Sequence, residues 1–321
     1  MSDLTQMRFH FGERDRDGGR PLEAAVMDAC ARRGVRAAAL MRGVEGFGAK
    51  HHLRTDRLLS LSEDTPLVAV AVGDADVIAA LAEEVRGLAG DGLLVVDSLG
   101  ADEGDLVKAA IWGPRSGPRS PHLEAVAALR RHGAECATVL LGVDGVLDGE
   151  RRRARFVAGN RGVPAMTVGV GTRGAIDAAL AEVDGAAHLV TVEGVVTNRR
   201  IATVSHHTDA EGSAMAEATR VTLVTSEVAS RGSRPTYLEF IHRVRREGAA
   251  GATAQRGVWG FRGEGEPSGD RVLALRRDVP MVVEVVDVPE RAARWLEIAH
   301  ELAGESDVVY VQGAGEVIPG R

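Results

Sequence analysis

The chain has 321 residues, 45% of them hydrophobic and 26% charged, with a net charge of −7. That is the composition of an ordinary soluble globular protein, and its acidic balance argues against a generic nucleic-acid binder, which would present a basic domain. No apolar run reaches the roughly 18 residues needed to cross a bilayer, Met1 to Met7 is too polar and short for a signal peptide, and Cys30 and Cys136 form no metal-spaced cluster; a reduced, cytoplasmic setting without membrane insertion is expected.

Met7 to Phe11 alternates as a strand, and a charged loop from Gly12 to Arg20 follows. Pro21 suits the first turn of a helix, with Leu22, Ala25, Val26, Ala29 and Cys30 on one stripe and Gly34 as its stop. Val35 to Met41 predicts a second strand, succeeded by Arg42-Gly43-Val44-Glu45-Gly46-Phe47-Gly48 and a polar stretch to Asp64. Leu67 to Val72 predicts a third strand. Asp74 can cap a helix carrying Val77, Ile78, Leu81, Val85 and Leu88, and Leu93 to Val96 predicts a fourth strand. The order is βαββαβ, the ferredoxin-like arrangement.

This pattern recurs. The glycine motif returns as Gly142-Val143-Asp144-Gly145-Val146 and as Arg256-Gly257-Val258-Trp259-Gly260-Phe261. Pro21, Pro121 and Pro235 precede its first glycine by 22, 21 and 22 residues, and Pro66, Pro164 and Pro280 follow it by 23, 22 and 23. A period of about a hundred residues is domain-sized. The expected fold is α+β, three tandem ferredoxin-like domains at residues 7–100, 106–204 and 218–316, the second most divergent and with an Ala-rich second helix. Ala101 to Asp105 and Ser205 to Glu217 are the expected linkers. A ferredoxin-like sheet has one face open. Apolar residues on both faces of strands such as Val68 to Val72 predict that the copies bury those open faces together, as a monomeric pseudo-trimer.

Chemistry is expected at the glycine motif. A glycine-dense turn frees backbone N–H groups for an anion, and a neighbouring guanidinium offers bidentate phosphate contacts; Arg42 with Gly43, Gly46 and Gly48 has both, as does Arg256 with Gly257 and Gly260. Phe47 and Phe261 could stack on a base or cover a local core. Glu45 lies within the motif. The second copy has Leu141 in place of the arginines and Val146 in place of the phenylalanines, and Gly113 is aligned with Glu13 and Glu227; it is therefore expected to be scaffold, so altering Arg152 should matter less to a ligand than altering Arg42. His51-His52 and His206-His207 have no carboxylate or cysteine at ligand spacing and are expected to be solvated. No nucleophile-and-base set, Walker-type Lys-Ser/Thr pair or metal cluster is legible, so no enzyme is expected.

The first copy, through Phe11-Gly12-Glu13, Asp15, Pro21-Leu22-Glu23, Arg42 to Ala49 and Leu61 to Pro66, resembles the PII-like family catalogued as domain of unknown function 190. The third copy resembles it more loosely, through Glu227, Pro235, Arg256-Gly257, Gly260-Phe261 and Asp278-Val279-Pro280. The resemblance implies ligand clefts between subunits holding an ATP-, ADP- or AMP-type molecule, and a loop after the second strand that reports occupancy to a partner, frequently a transporter or a metabolic enzyme. It also implies that Gly90-Asp91-Gly92 contacts phosphate, although Leu93 stands where PII proteins place a basic residue. The alternative expectation is a structural interaction module with vestigial pockets.

Overall fold

The structure is a computed structural model that describes residues 4–48, 51–56, 64–88, 92–100, 104–115, 120–155, 160–183, 185, 187–197, 217–269 and 278–319. Repeat 1 is β1 (Leu4–Gly12), α1 (Leu22–Arg33), β2 (Ala37–Phe47), β3 (Pro66–Asp74), α2 (Ala75–Leu88) and β4 (Leu93–Leu99). Repeat 2 is β5 (Leu106–Pro114), α3 (Pro121–Arg131), β6 (Cys136–Leu147), β7 (Pro164–Thr172), α4 (Arg173–Glu182) and β8 (Leu189–Gly194). Repeat 3 is β9 (Glu217–Ser226), α5 (Thr236–Arg246), β10 (Gly251–Arg256), β11 (Pro280–Asp287), α6 (Pro289–Leu302) and β12 (Val308–Pro319).

Local chemistry accounts for the helix ends. Pro121 and Pro289 occupy the first turns of α3 and α6, where a missing N–H costs nothing. Pro21 instead sits one place outside α1, which begins at Leu22, and Gly34 closes that helix in the left-handed conformation (φ 68°). The Ala-rich helix of repeat 2 does form, with Thr172 accepting from the Ala175 amide as its cap.

All three sheets share one antiparallel order. The first strand lies between the third and the fourth, and the second strand pairs with the third. Helices cover one face: Met7, Phe9 and Phe11 pack with Leu22, Val26, Ile78 and Leu81.

The open faces meet. Val70 and Val72 of repeat 1 pack with Trp112 and Met166 of repeat 2, Cys136 and Val170 of repeat 2 with Val282 and Tyr310 of repeat 3, and Leu93 and Val95 of repeat 1 with Ala218 and Val286 of repeat 3. Three tandem ferredoxin-like domains therefore form an intramolecular pseudo-trimer.

Where the three open faces converge, the core is polar. Gln6, Lys108 and Arg220 are equivalent, each opposite the valine six residues past its repeat's β3-type proline (Val72, Val170 and Val286). Their partners on the last strands, Asp97, Glu193 and Gln312, are equivalent too. Arg220 reaches from repeat 3 to Asp97 of repeat 1 at 2.7 Å, and Arg8 of repeat 1 to Glu284 of repeat 3 at 2.6 Å. Lys108 binds Glu193 at 3.0 Å and Gln312 at 2.9 Å, while Gln312 donates to Glu193 at 2.6 Å. The three cations and three carboxylates cancel. Burial opposes ionisation of Asp97 and Glu284, but Arg220 at Asp97, and Arg8 with Arg220 at Glu284, hold both carboxyls below their usual range.

His10, on this face, donates to or accepts from Thr253 Oγ1 at 3.2 Å. Burial, reinforced by Arg8 and Arg220 and opposed by Glu284 and Asp97, pushes its pKa from 6.5 down to about 4. Between those values the unfolded chain binds a proton that the folded chain refuses, so stability falls as pH falls, by up to about 3 kcal/mol from this group. Urea unfolding between pH 6.5 and 4 should show that slope, and His10→Gln should flatten it; an unchanged slope would assign it elsewhere, for example to His122, whose pKa burial also lowers.

Candidate ligand site at the repeat junctions

In repeats 1 and 2 the glycine motif is strand rather than turn, and in repeat 3 Gly257 and Val258 break it between two strands. β2 continues through Phe47, because its second half has a partner: Gly43 lies opposite Gln255 and Phe47 opposite Ala252 of β10. The first half of β2 pairs with the second half of β6, Ala37 opposite Leu147. The first half of β6 pairs in turn with Trp259–Arg262, the second half of the repeat 3 motif and the residue after it. Repeat 1 thus docks on repeat 3, repeat 3 on repeat 2 and repeat 2 on repeat 1, and the ring closes.

This docking explains the glycines. A Cβ on Gly46 would sit 2.7 Å from the Ala252 carbonyl oxygen, one on Gly145 2.3 Å from that of Ala38, and one on Gly260 2.0 Å from that of Ala137. Those alanines occupy one equivalent place in the three repeats. Gly46, Gly145 and Gly260 each admit a neighbour's backbone, a contact that only hydrogen at Cα allows.

The next side chain is a plug. Phe47 packs among Leu238, Ile241 and Trp295 of repeat 3, Val146 among Val26 and Phe9 of repeat 1, and Phe261 among Val126, Leu129 and Ile176 of repeat 2. Phe47 is 4% exposed and Phe261 2%. Each fills the core of the neighbouring repeat rather than its own, which leaves neither ring face open for a base. Glu45 is buried against α5 of repeat 3, 2.8 Å from Nε2 of His242. The amide of His51 donates to the Gly48 carbonyl, and the Gly257 amide donates to that of Pro280.

The two motif arginines are already engaged. Arg42 pairs with Glu13, and Arg256 pairs with both oxygens of Glu227 at 2.9 Å. Both pairs lie at the base of the loop after the second strand. Around the first, Arg54 binds Asp64 at 2.7 Å, and Asp15 accepts from the Gly12 amide at 2.7 Å. Around the second, Arg262 binds Asp307 at 2.8 Å and Ser226 donates to Asp278. Of the carboxylates in the resembling motifs, Glu13 and Glu227 are thus the counter-ions of Arg42 and Arg256. Strand register corrects one alignment: Pro114 faces Pro164 as Gly12 faces Pro66, so Arg115, not Gly113, is the equivalent of Glu13 and Glu227.

Gly90 and Asp91 lie outside the described residues. Gly92 is described; a Cβ there would come 2.0 Å from the Phe9 ring, so that ring packs directly on Gly92. His51 and His52 enter no metal-ligating group of three among the described residues.

A cleft of about 460 Å³ opens between repeats 2 and 3. Its walls are the turn from α6 to β12 (Ala303, Gly304, Glu305), the base of the loop that follows the third motif (Gly263, Glu264), the C-terminal end of α3 (Arg130) and the connection from α3 to β6 (Glu135). Arg130 donates to the Glu264 carbonyl at 2.6 Å and lies 5.6 Å above the Phe261 ring, and the Gly263 amide donates to the Glu135 carbonyl at 2.8 Å. None of the residues singled out from sequence lines this cleft; Phe261 supports it from beneath through Arg130. Arg130 has no counterpart in the glycine motif, and only its place at the end of the first helix marks it.

The two buried charge pairs that cross between repeats, Arg8 with Glu284 and Arg220 with Asp97, went unread in the sequence. A signal was present: Asp97, Glu193 and Gln312 each end the last apolar run of a copy. No described helix is long and apolar enough to cross a membrane.

Comparison with known proteins agrees with this architecture. The family described as "Uncharacterized ACR, COG1993", domain of unknown function 190, matches residues 4–100, 115–203 and 218–313. The "UPF0166 protein" of Aquifex aeolicus (strain VF5) is 33% identical over 75 residues, covering 23% of this chain and 71% of that protein. Among solved structures, an aspartate kinase from Synechocystis aligns with 97% of this chain at 9% identity and a TM-score of 0.25, too low a likeness to carry an argument; the chain spans 43% of that kinase chain. With a match to each of its three repeats, the chain belongs to the PII-like family known as domain of unknown function 190, which it carries in three tandem copies.

Proposed function

We propose that this protein is a non-enzymatic regulator that holds an anionic small molecule, of the adenine-nucleotide class, in a cleft between repeats. The loop after the second strand would report occupancy to a partner such as a transporter or a metabolic enzyme. The observation that carries this reading is the cleft between repeats 2 and 3, because its wall includes both a loop base and the neighbouring repeat. A ligand there would compete for the hydrogen bonds that Arg130 and the Gly263 amide now make across the junction.

The charges narrow the ligand. Glu135, Glu264 and Glu305 make the rim acidic, while Asp307 is neutralised by Arg262. A monophosphate or a zwitterion fits that rim better than a triphosphate does. At the loop bases, Arg42 and Arg256 would exchange Glu13 and Glu227 for a ligand's anion, which frees the loop. A second reading has support of its own: Gly46, Gly145 and Gly260, with Phe47 and Phe261, are consumed in joining the repeats, as in a structural module with vestigial pockets.

Thermal unfolding with ATP, ADP, AMP, cyclic nucleotides and adenosine separates the two. A ligand at a hundred times its Kd should add about 2.7 kcal/mol to stability. That gain should vanish in Arg130→Ala for a ligand in the cleft, and shrink in Arg42→Ala and Arg256→Ala for one at the loop bases. No stabilisation across the panel would leave the structural reading.

A further inference from the structure

In repeat 2 the charges at the loop base are reversed. The amides of Glu13, Arg115 and Glu227 make the same bond, to the carbonyls of Thr65, Val163 and Val279 at 2.9, 2.8 and 3.0 Å. Where repeats 1 and 3 place a glutamate there, repeat 2 places Arg115. Leu141 faces Ala165 as Arg42 faces Leu67 and Arg256 faces Met281, so the arginine that balanced the glutamate is gone. Gly162, two residues before Pro164, stands where Asp64 and Asp278 precede Pro66 and Pro280. The self-neutralising cluster of the other repeats has become cationic.

Other arginines gather on it. The Gly162 amide donates to the Arg115 carbonyl at 3.0 Å, which seats Arg161 alongside. A Cβ on Gly162 would lie 3.9 Å from Cγ of Arg152, and the Arg155 amide donates to Oδ1 of Asn160 at 2.7 Å. Against these four stands Glu150, exposed and bound to Arg152. Arg151 and Arg153 are spent on Asp144, Asp28 and Glu23. Among the described residues, Arg115, Arg155 and Arg161 make no ion pair. The described residues of segments 113–121 and 148–163 hold six arginines (115, 151, 152, 153, 155 and 161) against two carboxylates, Glu150 and Asp148, and Asp148 turns to His188 at 3.1 Å.

Arg115 separates this patch from a merely solvated one. It is half-buried, and burial alone lowers its pKa, with no carboxylate raising it. Withdrawing a cation from water without a counter-ion costs free energy, which a bound anion returns. Guanidinium forks match phosphate oxygens two at a time, and several of them around one base suit adjoining phosphates.

We propose that the base of the β6–β7 loop binds an oligophosphate, the phosphate chain being the recognised group. The divergent repeat would then carry an anion site of its own. This site shares no residue with the cleft between repeats 2 and 3 and stands independently of it.

Calorimetric titration of the full chain with tripolyphosphate, at ~0.05 M and ~0.15 M salt, tests the assignment. Saturable binding is expected, weaker at the higher salt. Arg115→Gln and the exposed Arg161→Gln should each raise Kd about tenfold, a loss of the size of one charge-assisted pair. Arg130→Gln and Arg42→Gln should leave Kd within about twofold, because neither lies at this loop base. Absence of binding, or a Kd unmoved by Arg161→Gln in a chain that melts normally, would overturn the proposal. Binding lost in Arg130→Gln but kept in Arg115→Gln would move the anion to the cleft and overturn it as well. Adenosine, lacking phosphate, should not compete here.

Discussion

Phe261→Ala should cost about 3–5 kcal/mol, the usual range for removing a fully buried phenylalanine. Its site in the fold makes the result informative. The residue belongs to repeat 3, but its ring lies among Val126, Leu129 and Ile176 of repeat 2, beneath Arg130. The cavity therefore opens under α3, and amide hydrogen exchange should accelerate in α3 and β6 before it does in α5. Urea unfolding should remain a single transition at a lower midpoint, because a repeat that needs its neighbour's side chain to complete its core cannot unfold by itself. A loss below about 1 kcal/mol, or a separate early transition of repeat 3, would show that the plug contributes little to joining the repeats.

Arg220→Met should be as damaging for a different reason. Arg220 is fully buried and its guanidinium is 2.7 Å from Asp97, whose side chain is 5% exposed. Removing the cation leaves a carboxylate in the interior with, among the described residues, only the Gln6 amide and the Gly315 N–H donating to it. An uncompensated buried charge of this kind costs about 3–5 kcal/mol. Arg220→Met combined with Asp97→Leu should recover much of the loss, since replacing a buried pair by apolar residues is often neutral. A double-mutant cycle in urea would then give a coupling above about 1 kcal/mol. Additive effects would mean that the pair is solvated and adds little to the junction.

That pair also shows what fusion permits. In a homotrimer the positions of Gln6, Lys108 and Arg220 would carry one residue type, and three identical charges would meet across the interface. Here the positions differ and their partners differ with them, Asp97, Glu193 and Gln312, so the interior charge cancels. The same freedom let repeat 2 exchange a glutamate for Arg115 and an arginine for Leu141 while keeping its strand register.

Most of the architecture was legible along the chain. Pro66, Pro164 and Pro280, with the glycines they follow, locate three copies of one unit, because backbone requirements at strand starts and close contacts depend on local residue type. The βαββαβ order follows from hydrophobic periodicity, a property of neighbours in sequence, and strands apolar on both faces imply that the sheets meet. The loop bases were half legible: Arg42 and Glu13 are conspicuous, but only the fold makes them partners.

The glycine motif shows where such reading ends. Its composition is that of an anion-cradling turn, and equally that of a strand making room for another backbone; residue type is identical in the two cases. Which one holds depends on whether Ala38, Ala137 and Ala252 press against Gly145, Gly260 and Gly46, contacts between residues about a hundred to two hundred positions apart. The destination of Phe47 and Phe261 is decided in the same way, since a plug in a neighbour's core and a plug in its own have the same sequence. Strand register alone could reveal that Arg115 replaces Glu13, because insertions between copies shift the count by a residue or two and only hydrogen-bonded partners restore it. Sequence by itself determined the repeated unit, its secondary structure and the need for its open faces to be covered; tertiary structure decided which repeat docks on which and where charge is left unbalanced, because those outcomes rest on long-range contacts that no local pattern encodes.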